Sequence, residues 1–266
     1  MTVGRRWLHD RRRGLLWWCA GITALVAFTV AFFPTVEGDQ TFEELADELP
    51  AGLSSLLGVS EGAPLTSAPG YLHARLFSTL VPLLLVVYAI GLGARAIGGT
   101  EEDGTLELLL SQPVTRTRVA VERYGANLAL LGLVAATLAV AVVALAAPVG
   151  ALDGVSLTGL AGASFGAFAL ALLHGTIAFT AGAATGRRAP AVGIATAVGA
   201  AGYLIEGLLA LGDAADPLRF VSPWHWYLGR NMLVDGVAPD AVVPPLLASA
   251  ALVALATCLF GRRDLH

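Results

Sequence analysis

Six stretches of the chain, 15–33, 76–97, 125–147, 157–184, 189–211 and 242–260, run almost without polar interruption. Each supplies about the twenty apolar residues that a helix needs to cross a hydrocarbon layer of about 30 Å. A helix is the expected form there, because it satisfies every backbone polar group without water. The pattern predicts an all-α polytopic membrane protein with six transmembrane helices. The fourth run is long enough to be tilted or broken, and Pro82 is expected to kink the second.

Between the runs lie a basic N-terminal segment (1–14), an outer loop (34–75), a hairpin (98–118) and a second outer loop (212–241). No polar stretch is longer than about forty residues, too little for a core of its own, so residues 1–266 are read as one transmembrane domain. In the first outer loop Thr41 and Glu44 have capping-box spacing, and Phe42, Leu45, Leu49, Leu53 and Leu56 recur at helical spacing. A short amphipathic helix along the outer surface is expected. Its acids, with Glu37, Asp39, Glu43, Asp47, Glu48 and Glu61 around them, either keep the loop in water or make it a lid over an outer gate. The second outer loop holds Ser222-Pro-Trp-His-Trp-Tyr-Leu-Gly, either a re-entrant or interfacial helix or a plain aromatic belt.

Composition agrees with lipid as solvent. Hydrophobic residues make up 56% of the chain and charged ones 14%, against roughly 45–50% and about 25% in soluble domains. All sixteen positive charges are arginine, and there is no lysine. With the N-terminus in the cytoplasm, thirteen arginines fall inside and only Arg75, Arg219 and Arg230 outside, which fixes the orientation by the positive-inside rule. Both termini and the hairpin are then cytoplasmic. The first run is too long for a signal-peptide core and no A-x-A site follows it, so it reads as a retained anchor. Cys19 and Cys258 lie in apolar runs and are expected to be fillers. No Cys/His cluster suggests a metal site, and two methionines do not make a soft-metal pathway.

The hairpin is the most informative segment. Gly98 and Gly99 let the chain leave the membrane, Thr100 is placed to cap a new helix, and Glu101, Glu102 and Asp103 suit its positive end. Leu106, Leu109 and Leu110 share one helical face with Glu107 off it, and Pro113 ends the helix. So short a helix cannot hold itself together in water and needs a docking surface. That surface is either the ends of the chain's own spans or another protein.

Gly104-Thr-Leu-Glu-Leu-Leu-Leu-Ser-Gln-Pro-Val-Thr-Arg116 resembles the cytoplasmic loop signature of ABC type-2 transporter permeases. The basic start, six spans, the Ser-Pro-Trp-His-Trp-Tyr segment and the terminal Arg-Arg-Asp-Leu resemble that family in architecture. The resemblance implies a cell-membrane exporter subunit whose hairpin is a coupling helix seated on a separate ABC ATPase. It implies two permeases, identical or paralogous, with two ATPases, and Thr100, Glu101, Glu102, Asp103, Leu106, Glu107, Leu109 and Leu110 as ATPase contacts. This chain would bind no cofactor, with ATP and Mg on the partner. The missing lysine agrees, because a phosphate-binding P-loop requires one. Lipid and an unknown exported substrate complete the expected partners, with no nucleic acid.

His174 in the fourth run and Glu206 toward the outer end of the fifth are the conspicuous ionisable groups within the spans. Such residues face a cavity or a partner, which makes them candidates for the translocation pathway. The alternatives are an interhelical hydrogen bond for His174 and exposure to outer-leaflet water for Glu206. Gly162-Ala-Ser-Phe-Gly166 matches G-x-S-x-G and raises an intramembrane serine protease as a rival. His174 stands about 15 Å along the helix from Ser164, beyond proton-transfer reach. Gly162/Gly166 and Gly182/Gly186 read more simply as small-xxx-small pairs for close packing. The remaining alternative is an ATP-independent carrier or membrane scaffold, although no inverted repeat is visible.

Overall fold

The computed structural model describes residues 3–37, 64, 66–209 and 222–263, and among them it contains helices and no strand. In chain order these are α1 (Val3–Val36), α2 (Ala68–Glu102), α3 (Thr105–Leu110), α4 (Arg116–Ala146), α5 (Leu157–Thr185), α6 (Arg188–Leu209), α7 (Pro223–Leu228), α8 (Met232–Asp235) and α9 (Pro239–Arg262). α1, α2, α4, α5, α6 and α9 are each long and apolar enough to cross a membrane. The expected amphipathic helix at 41–56 lies outside the described residues, as do Arg219 and the last three residues.

α5 is the hub of the bundle, packed against α2, α4, α6 and α9, while α1 lies against α4. In the most apolar stretch of α5, 72% of residues are buried within the protein, against 22% in α1 and α9. Those outer helices turn most of their apolar surface outward, as lipid-solvated helices do. α5 is continuous over its whole length, so of the two alternatives for the fourth run the broken one does not occur.

The tightest contact joins α2 to α5 through glycine. A Cβ on Gly93 would overlap the Gly175 carbonyl, and one on Gly175 would stand 2.9 Å from the Ala89 carbonyl oxygen. Backbone meets backbone here, so neither side can yield. Gly162 and Gly166 also serve close approach, but to the stretch 232–237 around α8 rather than to another span. Gly186 instead ends α5 in the left-handed region, at φ 69°.

α2 is not a uniform α-helix. Its residues His73–Phe77 and Arg95–Gly99 form π turns, and between the first of these and Leu80 the helix breaks at Thr79 (φ −132°, ψ −63°). Pro82 explains the break, since it has no N–H to donate to the carbonyl of Ser78. The neighbouring Phe77 carbonyl accepts a hydrogen bond from the Tyr227 hydroxyl of α7 instead. Burial pushes the Tyr227 phenol well above its ordinary range, which keeps that proton in place.

A second apolar core closes the arginine-rich end of the bundle. Trp7, Ala96, Ile97, Leu106, Val119, Ala120, Phe179, Ala256 and Phe260 bring together α1, α2, α3, α4, α5 and α9.

Candidate functional site

The hairpin is built differently from its sequence-based expectation. α2 does not stop at Gly98–Gly99 but runs through them as a π turn to Glu102. The two glycines provide room rather than a turn, because a Cβ on Gly98 would lie 2.7 Å from the Arg187 carbonyl oxygen. The chain reverses at Gly104, whose φ of 66° suits a residue without Cβ. Thr100 caps nothing: its hydroxyl donates to the Ile97 carbonyl at 2.9 Å and accepts from Arg123 at 2.7 Å. Glu101, Glu102 and Asp103 consequently sit at the end of α2 and not in the first turn of the short helix.

Each carboxylate of this turn has a particular position. Glu101 pairs with Arg263 beyond α9. Glu102 accepts the backbone N–H of Arg188 at 3.1 Å, placing a negative charge at the start of α6. Asp103 and Glu107 are exposed. In α3, Leu106 is fully buried in the second core, Leu109 and Leu110 pack partly against it, and Leu108 is 73% exposed. The leucine face read from the sequence as a docking face therefore points inward, and the apolar side chain left outside is Leu108.

Residues that sequence inspection did not single out for a site, Arg123, Trp7 and Asn127 with Arg11 and Arg116, organise this end. Arg123, buried on the inner face of α4, donates to the Ala96 carbonyl as well as to Thr100. Its guanidinium lies 4.9 Å from the Trp7 ring centre, and that of Arg11 lies 3.7 Å from the same ring. Trp7 Nε1 donates to Asn127 Oδ1 at 2.8 Å, and Asn127 Nδ2 donates to the Leu92 carbonyl at 3.2 Å. The signal was present: Arg123 shares the apolar stripe of Val119, Ala126 and Leu130 on α4. Arg116 reaches the Phe260 and Arg263 carbonyls, tying the start of α4 to the end of α9.

Glu206 lies toward the other end and His174 near the middle of α5, and α7 reaches both. His174 is fully buried, with Nδ1 at 2.8 Å from the Leu170 carbonyl and Nε2 without a hydrogen-bond partner. Its ring stands 6.3 Å from that of Trp224, and a Cβ on Gly199 of α6 would meet it at 3.2 Å. Trp224 rests edge-on against Tyr203 at 4.9 Å, and its own Nε1 is buried without a partner. Glu206 is only 8% exposed, and both its oxygens lie 3.1 Å from His225 Nδ1. Neither alternative from the sequence holds: His174 bonds within its own helix, and Glu206 is covered by α7 rather than open to water. Ser164 is buried with its hydroxyl unpartnered, while His174 turns Nδ1 to a backbone carbonyl, so the pair does not form a nucleophile–base couple.

The space between α2, α4 and α5 is narrow. A cleft lined by Gly93, Tyr124, Asn127, Leu131, Gly175 and Thr176 holds about 20 Å³, room for about one water. No group of three or more His, Cys, Asp or Glu among the described residues could hold a metal ion.

No curated protein matches the chain. The family model of the ABC-2 family transporter proteins matches residues 7–265, from the first helix through the end of the last span. Members of that family are membrane components of ABC transporters that generally work with an ATPase subunit. Six apolar spans and a match over nearly the whole sequence thus make this chain a multi-pass membrane protein of the ABC-2 transporter family, a permease subunit of an ABC transporter.

Proposed function

We propose that the chain is the permease half of an ATP-driven exporter of the cell membrane, paired with a second permease, identical or paralogous, and with two copies of a separate ATPase that binds ATP and Mg. The hairpin, cytoplasmic in this arrangement, is the coupling element. One observation carries this: α3 is rooted through Leu106 in the core that unites α1, α2, α4, α5 and α9, while Leu108, Asp103 and Glu107 project from its outer side. A force on the outer side is passed to several spans at once, the requirement for rocking a bundle between two states. Leu108, Glu102, Asp103 and Glu107 are the contacts best presented to an ATPase groove. Leu106, Leu109 and Leu110 hold the helix from beneath, and Thr100 and Glu101 fix its base. ATP chemistry belongs to the partner, since a chain without lysine has no P-loop lysine.

Leu108→Asp is expected to reduce co-purification of the ATPase at least about tenfold, the scale of one lost anchor at an interface. Membrane insertion and thermal stability should stay unchanged, because the side chain is exposed. Full co-purification with this variant would remove α3 from the interface. A wild-type chain that neither binds an ATPase nor stimulates one would instead favour an ATP-independent carrier or scaffold.

The narrowness of the cleft between α2, α4 and α5 supports a pathway that runs between two permeases rather than through one. His174 and Glu206, linked through Trp224 and His225 of α7, are its candidate residues on this chain. His174→Leu and Glu206→Gln are each expected to lower cargo-stimulated ATP hydrolysis by the complex. Full stimulation in both variants would take these residues out of the pathway.

A further inference from the structure

α1 and α2 run side by side with their aromatic residues in register. Trp18 meets Tyr88 with ring centres 5.0 Å apart, and Phe33 meets Tyr71 at 5.4 Å. On the outward side of this seam a groove of about 570 Å³ is lined by Trp17, Trp18, Gly21, Leu25 and Phe28 of α1 and Leu84 of α2. That volume is within the range of about 300–1,000 Å³ typical of small-molecule sites. Trp17 and Phe28 are 79% and 65% exposed, so protein does not fill the groove.

Toward the arginine-rich end, the same two helices carry positive charge that is in no ion pair among the described residues. Arg11 lies two helical turns below Trp18 on the same face of α1, about 10 Å toward the arginine-rich end. Arg95 lies two turns below Tyr88 on α2. Arg11 feels the like charges of Arg95 and, from the start of α6, of Arg188. Asp10 offsets part of this, but its carboxylate stands 3.8 Å from His9 and makes no ion pair with Arg11. Arg11 is stacked on Trp7, and its Nε is buried without a hydrogen-bond partner. Arg11 and Arg95 are in no ion pair among the described residues, and two such like charges call for an anion, while the apolar groove on the same two helices specifies one with an acyl chain.

We propose that the α1–α2 seam is a binding site for an anionic phospholipid, with its phosphate against Arg11 and Arg95 and one acyl chain along Trp17, Trp18, Gly21, Leu25 and Phe28. The site depends on the bundle and its membrane setting, not on the hairpin or the ATPase. A free phosphate would use the cations and leave the groove empty. A second copy of the chain would cover the groove without needing an anion.

The test is quenching of tryptophan fluorescence by phospholipids brominated in the acyl chain, with the full chain in lipid nanodiscs. Brominated phosphatidylglycerol, titrated into a phosphatidylcholine bilayer, is expected to quench at more than tenfold lower mole fraction than brominated phosphatidylcholine, since each arginine contributes about fivefold. The double variant Arg11→Gln/Arg95→Gln should bring the two lipids to parity. The matched double variant Arg12→Gln/Arg13→Gln, whose side chains are exposed on other faces of α1, should keep the preference. A Cβ on Gly21 meets nothing within 4 Å, so in Gly21→Leu the bundle should fold while the groove component of quenching is lost. Equal quenching by both lipids in the wild type would overturn the proposal, as would an equal loss in both arginine variants. Protection of the tryptophans from both lipids would assign the groove to a second copy of the chain and also overturn it.

Discussion

Gly93→Leu is expected to be the most damaging single substitution in the bundle, costing about 3 kcal/mol or more, at or beyond the usual upper end for overpacking. The new side chain would have to occupy the position of the Gly175 carbonyl. A side chain in the way could change rotamer, but a backbone carbonyl in a helix interior cannot move without breaking its own hydrogen bond. α2 and α5 would have to separate, opening the central contact on which α4, α6 and α9 also pack. The measurement is the fraction of monodisperse protein surviving a temperature ramp in detergent. Gly91→Leu is the control, since a Cβ there meets nothing within 4 Å. Comparable survival of the two variants would show that the glycine contact does not hold the bundle together.

The second large effect is expected at Arg123. Arg123→Met keeps much of the stem but leaves the Ala96 carbonyl and the Thr100 hydroxyl without their buried donor and removes one cation from the Trp7 ring. Hydrogen bonds to charged groups are worth about 1.5–3 kcal/mol and a cation–π contact about 1, set against a relieved desolvation cost, so a net loss of about 2–3 kcal/mol is expected. Arg123→Lys should recover little, because both bonds come from the terminal nitrogen Nη1 and the lysine side chain, one atom shorter, does not carry its ammonium to that position. The loss should concentrate at the base of the hairpin. Hydrogen exchange of residues 96–106 should speed up far more than that of α5, with weaker ATPase binding alongside. Unchanged exchange in that segment would show that Arg123 is not what fixes the hairpin.

The hairpin shows why the faces of a short helix can be read from a sequence while the direction in which they turn cannot. The order Thr-Leu-Glu-Leu-Leu-Leu-Ser-Gln-Pro identified the segment, and helical spacing placed Leu106, Leu109 and Leu110 on one face. Spacing says which residues share a face, but not whether that face meets a partner or the chain's own core. Leu106 went inward because Trp7, Val119 and Phe260, distant in sequence, build a pocket for it. Thr100 was a reasonable helix cap by pattern. It became an acceptor for Arg123 because the π turn at Arg95–Gly99 carries the helix past the two glycines. Likewise the Ser222–Tyr227 segment was visible as an aromatic cluster, but its partners Phe77, Tyr203 and Glu206 come from helices that the sequence could not bring together.

The sequence by itself determined the solvent and the number of spans, and its family resemblance rested on the order of residues in the hairpin. These follow from local quantities: apolar run length against bilayer thickness, the distribution of arginine and the order of residues in one short segment. Only the tertiary structure decided that α5 is the hub, that Gly93 and Gly175 let two backbones touch, that Leu108 rather than Leu106 faces outward, and that Arg11 and Arg95 come near each other without an ion pair. Each depends on which residues far apart in the chain become neighbours, and in a membrane nearly every helix face is apolar enough to be either buried or lipid-facing. Hydrophobicity therefore places the helices in the bilayer, and packing shape and buried charge then decide how they face one another.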